Sequence, residues 1–126
     1  MEKDYSITFF YYEDLEEAAR FYEDILQFDV VLDQGMAKIY RIAGRCYFGI
    51  VDGTKGHLKI QERNAVLLTI VVEDVKGWHE AMKSKNVKNL SDIHWGNYCE
   101  HFFFEDPVGY AIEIQRFHDA DVAKLF

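Results

Sequence analysis

The ten residues Glu105–Ile114 read EDPVGYAIEI, and they join a turn to a strand in one short run. Proline at the second position of Asp106-Pro107-Val108-Gly109 fixes φ near −65°, and glycine at the fourth suits a chain that reverses into the next strand. In the strand that follows, Tyr110, Ile112 and Ile114 alternate with Ala111, Glu113 and Gln115, so period two puts Glu113 on the more polar face. An acid set among apolar neighbours on a strand is the feature that needs explaining.

Working outward from that turn, the chain contains an internal repeat. TFFYYEDLEEAARFY from Thr8 aligns without gaps on LLTIVVEDVKGWHEAM when Leu68 is set under Thr8, sixty positions later. Each copy predicts a strand, an acidic cap and an amphipathic helix. In the first, Leu15, Ala18, Ala19, Tyr22, Ile25 and Leu26 recur at helical spacing, and Asp14 with Glu17 offers a capping box. In the second, Val75, Trp78, His79 and Met82 follow Asp74 in the same way. Three strand-like runs follow each helix: FDVVLD, MAKIYRIA and RCYFGIV in the first half; a weaker run near Val87–Ile93, then YCEHFFFED and YAIEIQRF in the second. The expected organisation is one domain over 1–126, with module one at about 5–52, a polar linker at 53–64, module two at about 65–116 and a C-terminal tail at 117–126. Half of this chain alone would bury little core, so the two modules are expected to pack together.

Composition narrows the function. The 126 residues are 49% hydrophobic and 16% aromatic, with 22 acidic against 14 basic side chains and a net charge of −8. Scattered basic residues on an acidic protein disfavour phosphate backbones and anionic lipid surfaces, so neither nucleic acid nor membrane is an expected partner. Cys46 and Cys99 are far apart and read as buried reduced thiols, and the N-terminus lacks the apolar segment of a signal peptide. A soluble cytoplasmic protein is expected. No nucleophile elbow, phosphate loop or H-E-x-x-H motif occurs, so covalent and phosphoryl chemistry have no support.

The repeated strand-helix-three-strand plan, FYEDILQF at Phe21–Phe28 and EDPVGYAIEI at Glu105–Ile114 resemble the vicinal oxygen chelate superfamily of glyoxalases, extradiol dioxygenases, fosfomycin-resistance enzymes and bleomycin-resistance proteins. The resemblance covers most of the chain. It implies an α+β fold of two βαβββ modules forming a curled mixed β-sheet half-barrel, with helices on the convex face. It also implies a divalent cation held by ligands at the starts of the first and fifth strands and in the fourth and eighth. Carried over, Glu113 matches the eighth-strand ligand, whereas Ile7, Leu67 and a position near Phe48 offer no donor. One carboxylate does not satisfy a divalent ion, which needs three to six donors. No cofactor is therefore expected, although the resemblance admits a divalent metal. The family often has Leu-Gly-Phe where this chain has Leu26-Gln27-Phe28, and glutamine in a left-handed helix end costs about 1 kcal/mol.

Three readings of Glu113 stay open: a cavity carboxylate that recognises a ligand, a solvated or structurally hydrogen-bonded acid, and a metal ligand. The residues expected around a ligand are Glu113, Phe9, Tyr11, Phe48, Thr69, Trp95 and His101, with Trp95 in a loop able to close over it. His57 and His118 read as surface residues and His79 as packing. The expected function is a small-molecule-binding homodimer of the bleomycin-resistance type, sequestering an organic, cationic aromatic ligand. A metal-dependent glyoxalase-like lyase, isomerase or dioxygenase assisted by His101 or His94 is the alternative, and a non-catalytic dimer serving protein contacts is a third.

Overall fold

A computed structural model describes residues 1–126. The architecture is α+β, with two four-stranded mixed sheets and no closed barrel. The chain divides into two compact units, Met1–Arg63 and Asn64–Phe126.

In module one, β1 (Ser6–Tyr12) leads into α1 (Leu15–Arg20), and β2 (Asp29–Asp33), β3 (Ala37–Ala43) and β4 (Cys46–Asp52) complete the sheet in the order β1-β4-β3-β2. The β1–β4 pair is parallel and the others antiparallel. Asp14 caps α1, its Oδ1 accepting from the Glu17 N–H at 3.0 Å. The helix then widens to a π-helical stretch over Phe21–Ile25. One face of the sheet packs on this helix: Phe10, Tyr12, Tyr40, Phe48 and Ile50 are buried against Tyr22, Leu26 and Phe28. Tyr22 lies 4.7 Å from Phe48 between ring centroids, and its hydroxyl meets that of Tyr12 at 2.9 Å. Tyr40 donates its hydroxyl to Glu23 Oε2 at 2.9 Å, and burial followed by that acid raises the phenol far above its ordinary range.

The helix end keeps the left-handed geometry that usually selects glycine. Gln27 has φ 58°, and the Phe28 N–H returns to the Tyr22 carbonyl at 2.9 Å. Gln27→Gly is therefore expected to stabilise the protein by about 1 kcal/mol, raising the thermal midpoint by about 3–5 °C. A calorimetric scan of the variant checks this, and Gln27→Ala should show no such gain.

Module two repeats the plan with β5 (Leu67–Val71), α2 (Val75–Ser84), β6 (His94–Trp95), β7 (Cys99–Glu105) and β8 (Ala111–Phe117), ordered β5-β8-β7-β6. Asp74 caps α2 through the Gly77 N–H at 2.9 Å. Ile70, Phe102, Phe104, Ile112 and Ile114 are buried on the face that meets Val75 and Met82. His79 packs as expected, edge-on to Phe102 at 4.9 Å with its Nε2 2.8 Å from the Ser91 carbonyl. The run near Val87–Ile93 forms no strand, only an isolated bridge from Lys88 to Glu105. Asn86 and Asn89 hold φ near 60° and 52°, which interrupts extended pairing there.

Two expectations are corrected here. Cys46 is exposed and Cys99 half-buried, both free thiols, because Cys46 opens β4 just after the Gly44–Arg45 turn, beyond the cover of α1. His118 is half-buried rather than a surface residue: its ring stacks on Trp95 at 4.1 Å and its Nε2 lies 2.9 Å from the Gly96 carbonyl. The tail forms a short helix, α3 (Ala120–Ala123), capped by Asp119, and Phe126 stacks on Phe117 at 5.3 Å.

Candidate functional site

The turn Asp106–Gly109 sets the position of β8, and it is held from inside. Asp106 is fully buried, its Oδ1 accepting from the Val108 N–H at 3.1 Å and the Tyr110 N–H at 2.9 Å. Gly109 closes the turn onto the Asp106 carbonyl at 3.1 Å with φ 101°, a conformation that favours glycine. Tyr110, Ile112 and Ile114 are thereby committed to the core, and Ala111, Glu113 and Gln115 to the opposite face, as period two requires.

Strand register then fixes what stands beside Glu113. On β5 its partner is Thr69, and on β7 it is Phe103. The Thr69 hydroxyl donates to Glu113 Oε1 at 2.8 Å, and Oε2 carries no protein hydrogen bond. One step along, His101 pairs with Gln115 on β8 and with His94 on β6, so both histidines share the face of Glu113, their rings 5.9 Å apart. The Cys99 Sγ lies 3.7 Å from His101 Nδ1. Burial, and then the charge of Glu113, raise the Cys99 thiol pKa, so it is a neutral donor at pH 7 rather than a nucleophile. The open face of module two thus gathers Thr69, Glu113, His101, His94 and Cys99 beside Phe103.

Trp95 is not among them. It pairs with Glu100, one residue out of phase with His94, and therefore belongs to the other face, where it stacks on His118. The expected role as a lid over Glu113 is corrected accordingly.

In module one, Phe9 and Tyr11 stand on the face turned away from α1, and Phe9 is 38% exposed. Phe48 does not join them. It is completely buried among Phe10, Tyr22 and Phe28, and its place beside a ligand is a correction. The register identifies the true counterpart of Glu113: Thr69 pairs with Glu113 as Phe9, sixty positions before Thr69, pairs with Gly49. Gly49 escaped the sequence reading, although an isolated glycine inside a strand signals a close approach. Here the approaching group is Phe9 itself, since a Cβ on Gly49 would collide with the Phe9 ring.

These residues do not fit the divalent cation that the fold admits. The partner positions offer an isoleucine at 7, a leucine at 67 and a glycine at 49 under an aromatic ring. No group of three or more His, Cys, Asp or Glu side chains is arranged to hold a metal ion.

Comparison with known proteins gives the class. Residues 6–114 match the Glyoxalase/Bleomycin resistance protein/Dioxygenase superfamily, and the chain belongs to that family. None of the curated proteins matches it significantly. Among solved structures, lactoylglutathione lyase from Agrobacterium tumefaciens is similar at 19% identity, covering 92% of this chain and 95% of its own, with a TM-score of 0.73. The fosfomycin resistance protein FosX from Listeria monocytogenes, in complex with Mn(II) and sulfate, is 17% identical over 98% of this chain and 96% of its own, at 0.75. A glyoxalase/bleomycin resistance protein/dioxygenase from Nocardioides is 11% identical over 95% and 87%, at 0.77. At these identities the likeness is one of fold. No helix is long and apolar enough to cross a membrane.

Proposed function

We propose that this protein is a small-molecule-binding member of its family that recognises a cationic aromatic ligand through Glu113, without a bound metal. The observation that carries the reading is Glu113 itself. Its Oε1 is oriented by Thr69 while Oε2 is left for a ligand, on a face that also presents Phe103 and His101. A carboxylate fixed by one neighbour and open on the other side pairs with a cation at low reorganisation cost, and an adjacent aromatic face adds to the attraction. The net charge of −8 favours a cation over an anion at long range. The two modules act as one domain, in a cytoplasmic homodimer.

The metal-dependent lyase, isomerase or dioxygenase reading has one observation in its favour, the His94–His101 pair beside Glu113. Against it, these side chains are not arranged as a group of three or more that could hold a metal ion.

Calorimetric titration with benzyltrimethylammonium and N-methylquinolinium tests the proposal. Saturable binding is expected, weakened by about tenfold, or about 1.4 kcal/mol, in Glu113→Gln. Glutamine keeps the size and a carbonyl acceptor for Thr69, so the variant isolates the charge. Absence of binding across these probes, or equal affinity in the variant, would sink the reading.

A further inference from the structure

The face of module one turned away from α1 carries at one end a cluster that Glu113 chemistry does not use. Tyr5, immediately ahead of β1, and Tyr47 of β4 hold their rings 5.2 Å apart at an interplanar angle of 59°. Arg45 of the Gly44–Arg45 turn lies over Tyr5, and Arg41 of β3 lies over Tyr47, each 5.5 Å from the ring centroid. Arg41 and Tyr47 are register partners across β3 and β4, and Arg41 Nη2 reaches the Tyr47 hydroxyl at 3.5 Å. The arrangement is therefore set by the sheet.

Neither guanidinium has a carboxylate within ion-pair distance. Asp29, opposite Arg41 on β2, acts on it only through space. In a chain with 22 acidic residues, two neighbouring arginines held by aromatic faces rather than by acids are a local reversal of sign. Contact with the aromatic rings restrains the guanidinium groups, which lowers the entropy cost of meeting an oxyanion. Ile7, the β1 partner of Tyr47, and then Phe9 continue the same face with apolar surface.

We infer that Arg41, Arg45, Tyr5 and Tyr47 form an oxyanion subsite for a small aromatic molecule, its carboxylate or phosphate at the arginines and its ring directed over Ile7 toward Phe9. The subsite belongs to module one, whereas Glu113 belongs to module two.

The test follows the arginine Nε–Hε resonances of the full chain by NMR while phenyl phosphate, benzoate or inorganic phosphate is added at constant ionic strength and neutral pH. Saturable shifts at Arg41 and Arg45 are expected with phenyl phosphate or benzoate, and whichever binds tighter assigns the oxyanion as phosphate or carboxylate. Binding should weaken by about tenfold in Arg41→Gln/Arg45→Gln and tighten in Asp29→Asn. Should the double glutamine variant not fold, Arg41→Lys/Arg45→Lys keeps the charge, and loss of the planar fork must still weaken binding. Inorganic phosphate binding as tightly as phenyl phosphate would overturn the aromatic part of the assignment. Shifts no larger than those given by sodium chloride, or an affinity unchanged in both double variants, would overturn the subsite itself. Because the shifts are read at Arg41 and Arg45 and none of these variants alters Glu113, failure of the cationic-ligand reading leaves this result interpretable.

Discussion

Phe48→Ala is expected to destabilise the protein by about 3–5 kcal/mol, a large share of the roughly 5–15 kcal/mol that holds a domain of this size together. The ring is fully buried and touches β1, the π-helical stretch and the residue that follows the helix end: Phe10 edge-on at 4.9 Å, Tyr22 at 4.7 Å and Phe28 at 6.2 Å. Truncation removes these aromatic contacts together and leaves a cavity that a sheet and a helix cannot both move to fill. Urea unfolding measures the effect. A variant as stable as the parent would mean that Phe48 does not lie in the core, and would reopen its place beside a ligand.

The second large effect falls on the turn that aims Glu113. Asp106→Ala removes the acceptor of the Val108 and Tyr110 N–H groups at a fully buried position, and is expected to cost about 2–4 kcal/mol. Asp106→Asn keeps an acceptor oxygen and should cost less than half as much. Because this turn commits the alternation of β8, the alanine variant should also lose affinity for the benzyltrimethylammonium probe even at temperatures where it remains folded. Retained affinity in a folded Asp106→Ala would show that the orientation of Glu113 does not depend on the turn. Parallel thermal unfolding and calorimetric titration separate the two consequences.

What the sequence disclosed depended on whether local pattern alone determined the outcome. The Asp-Pro-Val-Gly turn and the period-two strand after it placed Glu113 on the open face, because turn chemistry and alternation agree there. The two acidic caps and their helices were legible for the same reason. The counterpart of Glu113 was not. The offset between modules is sixty residues at Phe9 and Thr69, but sixty-four at Gly49 and Glu113 (113 − 49), because the second module carries extra residues between its helix and its last strand. A gapless alignment therefore does not carry over to the last strand, and the sequence places the position only near Phe48, to within about one residue. Gly49 lies in that range, but a one-residue shift in a strand exchanges the core for the open face. Trp95 failed for a related reason: only the register of a two-residue strand decides its face, and Gly96 and Asn97 erase the alternation around it. The Trp95–His118 stack joins β6 to the residue after β8, a long-range pairing that neither segment announces.

The pairing of Gly49 with Phe9 supports the proposed metal-free reading of the site. An acid at position 49 would have to displace the Phe9 ring. Module one thus turns an aromatic surface outward where module two turns a carboxylate.

Metal content tests this account most directly. The protein is incubated with nickel, zinc, cobalt and manganese, dialysed exhaustively and analysed by mass spectrometry beside Glu113→Ala. The account predicts no ion retained above the level of the variant. Retention of about one ion per chain, lost in Glu113→Ala, would contradict it and assign Glu113 to a metal centre.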